Sequence, residues 1–344
     1  LARTAASADA REWADMDWSF VLTQTLTQAI GIQAIIYCLA AIGLNVQFGY
    51  TGLLNFGQVA FVAAGSYAVG VIVLTFDLSL WLAIVVGVIV ALVIALILGI
   101  PTLRLRADYL AIVTIAFSEL VRLTVRSIAF KDVLGGAQGL NGKLGQDFHD
   151  TNPLPADFQS LPVLSWTRQD LWVVIVGWIL VALFTLLVWL LVRSPWGRIV
   201  RGIREDEAAV VSLGKNVFAY KLQALMLGGV IGAFGGIVWA VAKQSVQPDT
   251  FRPEFTFFAY TILLLGGAAR VFGPIVGAIL FWMILAGTGE FLGQAIQAGW
   301  IDFLQPTDVG NIRFVLMGSG LIALMVFRPQ GIFGDRRELA LDAK

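Results

Sequence analysis

Glu119 and Arg122 stand three residues apart in YLAIVTIAFSELVRLTVRS (109–127), a run that is otherwise largely apolar. At that spacing the two side chains share one face of a helix. Such a pair can fix helix packing by neutralising itself, or it can meet the two charged ends of a zwitterion moving past. Charges near the middle of a membrane-length run are expensive, so they pair, face a bundle interior or mark a route. Thr114, Ser118 and Arg122 recur at i, i+4 and extend the polar stripe. Both roles stay open. A second polar set, Asn45, Gln47, Asn55 and Gln58, flanks a glycine-bearing break between Gly43 and Gly57. Carboxamides placed there can cap the backbone of broken helix ends or touch a substrate directly.

The third chemical feature is the charged segment SPWGRIVRGIREDEAAVVSLGKNVFAYK (194–221). Ser194 reads as an N-cap with Pro195 at the first helical position, and Gly214 as a left-handed stop about five turns later. The expectation is one continuous surface helix. Trp196, Val200, Ile203 and Val210 fall on one side of it, and Arg198, Arg201, Arg204, Glu205 and Asp206 mostly on the other. One face can rest on a membrane domain while the other meets a partner.

Common catalytic motifs are missing. The string around Gly142 and Lys143 lacks the first glycine and the Ser/Thr of a phosphate-binding loop, no GxSxG is present, and a single histidine cannot make HExxH. The lone Cys38 and lone His149 exclude a disulfide framework and a Cys/His zinc site. No metal and no cofactor is expected, and an enzyme is disfavoured.

These groups are positioned by a membrane protein. Apolar residues make up 58% of the 344 and charged residues 13%, with a mean hydropathy of +0.83, outside the soluble range. The balance of 23 basic and 23 acidic residues gives no nucleic-acid footprint. Runs near the length needed to cross a bilayer lie at 20–46, 54–76, 80–103, 109–127, 171–192, 219–241, 255–268, 271–288 and 312–327. The fold class is therefore all-α and polytopic, a single transmembrane domain over 1–344 with about 8 to 10 membrane helices. The break at 43–57 and the short run after Phe255 make some of these helices discontinuous.

Arg193, Arg198, Arg201, Arg204, Lys215 and Lys221 place the 193–221 loop in the cytoplasm, and Arg328, Arg336, Arg337 and Lys344 place the tail there too. The 128–170 segment, rich in Gly and Pro, then forms a long polar extracytoplasmic loop. The N-terminus falls outside, or inside if 43–57 re-enters without crossing. Residues 2–17 do not have the pattern of a signal-peptide n-region. Gly228, Gly232 and Gly236 form a small-xxx-small ridge suited to close helix packing. Two glycine-interrupted stretches, 43–70 and 266–277, suggest paired discontinuous helices in the two halves.

Several strings together resemble the permease subunits of branched-chain amino-acid ABC transporters, the LivM-type member of the pair. They include GLNVQFGYTGLLNFGQVAF (43–61), LRLRADYLAIVTIAFSELVRL (103–123), GGAQGLNG (135–142), SPWGRIVRGIREDEAAVVSLG (194–214), YKLQALMLGGVIGAFGGIVWA (220–240), LLLGGAARVFGPIVGA (263–278) and FRPQGIFG (327–334). The resemblance implies a bacterial plasma-membrane permease that pairs with a sister permease and sits on two cytoplasmic ATPases, which bind the ATP. It also implies an extracytoplasmic substrate-binding protein.

In that family the 194–214 segment resembles the element that docks in a cleft of the ATPase. Arg201, Arg204, Glu205, Asp206, Glu207 and Gly214 would then carry ATPase coupling. The general permease signature reads EAA, three residues, then Gly; here four residues separate Glu207–Ala208–Ala209 from Gly214. Asn45, Asn55, Gln58, Thr114, Ser118, Glu119 and Arg122 would line or gate the path. Urea and short-amide permeases are the nearest alternative substrate class, and an ion-coupled secondary transporter titrating at Glu119 is a further one.

Overall fold

The computed structural model describes residues 18–155 and 166–297, with seven single positions between 310 and 322. Residues 1–17, most of the expected span at 312–327 and the basic tail lie outside the described residues. The long helices are α1 (Trp18–Ala29), α2 (Ile32–Leu44), α3 (Gln58–Gly70), α4 (Leu80–Thr102), α5 (Ala107–Arg126), α6 (Arg168–Arg193), α7 (Pro195–Glu205), α8 (Glu207–Ser212), α9 (Val217–Lys243), α10 (Pro253–Gly266) and α11 (Gly273–Gln297). The chain is an all-α, multi-pass membrane protein.

Six stretches among the described residues are long and apolar enough to cross a bilayer: Trp18–Tyr50, Gln58–Thr75, Leu80–Thr102, Arg168–Arg193, Val217–Lys243 and Gly273–Ile296. The first comprises α1, α2 and a wide π turn at Asn45–Tyr50. α5, at 20 residues, is also of spanning length, but it carries Glu119, Arg122 and Arg126. At 14 residues α10 covers only part of a bilayer, as its short apolar run predicts.

Small residues decide how the bundle packs. On α4, Ala83, Gly87, Ala91 and Ala95 face the protein, while Trp81, Val85, Ile89 and Ile97 are more than half exposed. A soluble helix would turn its large side chains inward. In lipid, close backbone approach supplies the attraction between helices, so small residues face inward. α9 takes the centre against α2, α3 and α4, with Gly228, Gly229, Gly232 and Gly236 all buried.

Two expectations change at this level. The 194–214 segment is two helices, broken at Asp206, which adopts an extended backbone (φ −152°, ψ 98°). Aspartate competes poorly inside a helix but caps well: its Oδ1 accepts the Ala209 N–H at 3.0 Å. The described part of 128–170 is also more than a polar loop. It contains short helices at Lys131–Leu134 and Gln146–Asp150, and Leu140–Asn141 pairs antiparallel with Ser245–Val246. Fully buried Leu144 and the stacked rings of Phe148 and Trp172 fasten this cap to the bundle.

Candidate functional site

The end of α2 sets the geometry of the site. The π turn at Asn45–Tyr50 widens the helix before the chain turns back toward α3. Asn45 there reaches the second break, the turn between α10 and α11. Its Nδ2 donates to the Arg270 carbonyl at 2.8 Å and its Oδ1 accepts the Ala269 N–H at 2.9 Å. That turn needs an anchor, because Ala269 sits at φ +59°. The two glycine-interrupted stretches of the sequence are therefore one place in space, joined by one carboxamide.

The neighbouring amides are equally engaged. Gln47 Nε2 donates to the Leu225 carbonyl at 3.2 Å, and its Oε1 accepts from Asn55 Nδ2 at 2.8 Å. Asn55 Oδ1 accepts the Gly57 N–H at 2.9 Å, and Gln58 Nε2 donates to the Gly228 carbonyl at 2.9 Å. Asn45, Gln47, Asn55 and Gln58 are at most 1% exposed. Buried amides holding otherwise orphaned backbone groups are what an interrupted helix requires in lipid. The bonds made by these four amides are those that cap interrupted backbone.

Replacing Asn45 by leucine, of similar size, strands the Ala269 N–H and the Arg270 carbonyl. Interhelical hydrogen bonds in membranes are worth about 0.6 kcal/mol each, and a stranded buried group costs roughly 1–3 kcal/mol. The variant should lose about 2 kcal/mol, read as a lowered unfolding midpoint in detergent. An unchanged midpoint would show that the clamp contributes nothing.

Thr114 and Ser118 lie on the face of α5 that packs on α3, at 1% and 2% exposure. Thr114 Oγ1 accepts the Phe56 N–H at 3.0 Å and donates to the Ala111 carbonyl, while Ser118 donates to the Ile115 carbonyl. Their stripe is an internal seam. Glu119 and Arg122 do pair, through Nε to Oε2 at 2.9 Å and Nη2 to Oε1. They sit in the C-terminal half of α5. Asp249, in the turn after α9, accepts from Arg122 at 2.9 Å and Arg126 at 3.1 Å, with Arg252 at 3.4 Å. Side-chain exposures of 35% for Glu119 and 44% for Asp249, against 11% for Arg122, leave the carboxylates at the surface of the bundle and the guanidinium beneath them.

At the opposite end, α7 lies against the π turn and α8 follows it, packed on α7 and α9. Val200, Ile203 and Val210 are buried as the apolar spacing predicts. The charged residues divide by role. Arg204 Nη1 donates to the Gly49 carbonyl inside the π turn at 2.6 Å. Arg201 lies over the Tyr50 ring at 5.8 Å and Glu207 pairs with Lys221 at 2.7 Å. Glu205 is exposed. Gly214 closes α8 at φ +72°, the left-handed stop its position predicts. Beside it Leu213 is 77% exposed and Val211 56%, an apolar tip beyond the membrane bundle.

Sequence reasoning missed Asp249, Thr256 and Tyr260. Thr256 Oγ1 accepts the Val59 N–H at 3.0 Å, and the Tyr260 hydroxyl donates to the Asn55 carbonyl at 3.1 Å. Polar residues in and just before the short α10 were the available signal, since a half-span has to satisfy the backbone it interrupts.

These features define a multi-pass membrane domain whose amphipathic α7–α8 segment bears, through Arg204, on two joined helix breaks. A family model described as branched-chain amino acid transport system / permease component matches residues 26–325, and the chain belongs to that family. It is 29% identical over 324 residues to the high-affinity branched-chain amino acid transport system permease protein LivM of Escherichia coli K12, covering 92% of this chain and 71% of that one. It is 24% identical over 335 residues to the probable LivM of Methanocaldococcus jannaschii, covering 88% and 91%. The autoinducer 2 import system permease protein LsrC of Escherichia coli DH10B is 27% identical over 181 residues, covering 51% and 47%. The chain is a multi-pass protein of the bacterial inner membrane, a permease of the branched-chain amino-acid ABC class.

Proposed function

We propose that this chain is the permease subunit of an ATP-driven importer that moves branched-chain, hydrophobic amino acids inward by alternating access. It pairs with a sister permease, receives work from two cytoplasmic ATPases and takes substrate from an extracytoplasmic binding protein. The observation that carries the reading is the Arg204 bond to the Gly49 carbonyl. It ties the surface segment to the two joined breaks, so movement of α7 acts on the interrupted helices rather than on a rigid wall. The exposed Leu213 and Val211 offer the apolar contact that an ATPase cleft would bury.

Reconstituted uptake tests this. Uptake of leucine, isoleucine or valine should require ATP and ignore imposed proton and sodium gradients; uptake driven by a gradient without ATP would overturn the proposal. Within the same assay, Glu205→Lys combined with Asp206→Asn alters the exposed charge while asparagine keeps the cap on Ala209. The complex should assemble, with uptake reduced by about tenfold, an interaction loss of roughly 1.4 kcal/mol. Normal uptake in that variant would sink the docking role of these carboxylates.

A further inference from the structure

A cavity lies at the end of the bundle that carries α7, beside the turn that Asn45 anchors. It encloses about 450 Å³ between the ends of α6 and α7, the π turn and the start of α11. Arg193, Arg201 and Arg270 line it together with Tyr50, Trp189 and Phe272, and no carboxylate is among its described lining residues. Trp189 and Phe272 also line an adjoining groove of about 390 Å³, whose α6 wall is Ala182, Thr185 and Leu186. That groove is apolar and lies on the side of α6 where Leu183, Leu186 and Leu190 are each more than half exposed, an apolar face suited to acyl chains.

The two compartments differ in chemistry and meet at the membrane surface. The stretch of α6 long and apolar enough to cross a bilayer ends at Arg193, whose guanidinium lies over the Trp189 ring at 4.0 Å. Tryptophan and arginine at a helix end mark the headgroup level. Phe272, 65% exposed, stands at the junction between polar cavity and apolar groove.

We propose that the cavity and groove together bind one anionic phospholipid. Its phosphate sits among Arg193, Arg201 and Arg270, and one acyl chain runs along Ala182, Thr185 and Leu186 of α6. Guanidinium forks suit phosphate oxygens, and basic pockets between membrane helices on the cytoplasmic side accept acidic headgroups. A zwitterionic lipid would bring its own ammonium against three guanidiniums. A free phosphate would fill the cavity and leave the groove without an occupant. The bound headgroup joins α6, α7 and the second break.

The test places the full chain in nanodiscs of phosphatidylcholine doped with brominated phosphatidylglycerol or brominated phosphatidylcholine. Bromine quenches a nearby indole, and the difference between wild type and Trp189→Phe isolates Trp189. Each cationic side chain near an anionic headgroup contributes about a fivefold preference. Brominated phosphatidylglycerol should therefore quench Trp189 at a mole fraction at least about tenfold below that of brominated phosphatidylcholine. Arg193→Gln with Arg270→Gln should bring the two lipids close together. Equal quenching by both lipids in the wild type overturns the site, and that comparison needs no variant to fold. Loss of the phosphatidylglycerol signal on adding inorganic phosphate at constant ionic strength would assign the cavity to the free anion and overturn the lipid proposal.

Discussion

Replacing Arg204 by methionine should lower amino-acid uptake by about thirtyfold while the protein remains folded and its complex assembled. The guanidinium meets the Gly49 carbonyl at 2.6 Å, and its aliphatic stem packs beside Gly52. A hydrogen bond from a charged donor is worth about 1.5–3 kcal/mol, and about 2 kcal/mol of lost coupling corresponds to a factor near thirty. Methionine keeps the stem and removes the donor. The loss therefore falls on the link between α7 and the first break, and the packing of Val200 and Ile203 is spared. Arg198→Met, at an exposed position on the same helix, should leave uptake within about twofold, because surface substitutions away from such contacts change energies by about 0.5 kcal/mol or less. Stimulated ATP hydrolysis, measured beside uptake, separates a broken link from a lost complex. Hydrolysis without transport is the expected signature, and equal uptake in the Arg204 and Arg198 variants would remove Arg204 from the coupling route.

Local chemistry was legible in the chain; long-range chemistry was not. Ser194–Pro195 and Gly214 delimit the cytoplasmic segment because capping depends on residues within a few positions. The break at Asp206 was hidden by the apolar pattern. Val200, Ile203 and Val210 keep one face whether the helix is continuous or recapped, and both arrangements bury that face. The Glu119–Arg122 pair could be read from helical spacing, whereas its third member, Asp249, lies 127 residues from Arg122.

The amides show a different limit. Asn45, Gln47, Asn55 and Gln58 stood out as polar groups beside a glycine break, but most of their partners are backbone atoms of distant residues. A backbone carbonyl carries no sequence signature. Only the fold could show that these side chains close the interruption, and that Thr114 and Ser118 belong to a buried seam.

Gly236→Val should abolish recovery of folded protein. The ridge of Gly228, Gly232 and Gly236 was visible as a repeat of four, and in the fold α9 lies against α3 at Gly232 and Gly236 and against Gly43 and Gln47 at Gly228. A Cβ at 236 would overlap the Val62 carbonyl oxygen, and one at Gly65 on α3 would overlap the Ala233 carbonyl, so the two backbones interlock reciprocally. Ser66 Oγ, donating to the Gly236 carbonyl at 2.6 Å, fastens the same crossing. These oxygens belong to helix backbones and have no rotamer to adopt, so valine can be accommodated only by moving α3 from α9. That movement also pulls on the Gln58 bond to Gly228. Overpacking a tight interface typically costs about 1–3 kcal/mol, and backbone contact puts this site at or above the upper end. Gly293→Ala is the matched control: its Cβ meets nothing within 4 Å, and alanine raises helix propensity by roughly 1 kcal/mol. Size-exclusion yield in mild detergent should collapse for Gly236→Val and hold for Gly293→Ala. Recovery of the valine variant at wild-type yield and unfolding midpoint would show that the α3–α9 crossing is loose, and that the buried amides, not the glycine ridge, hold the halves together.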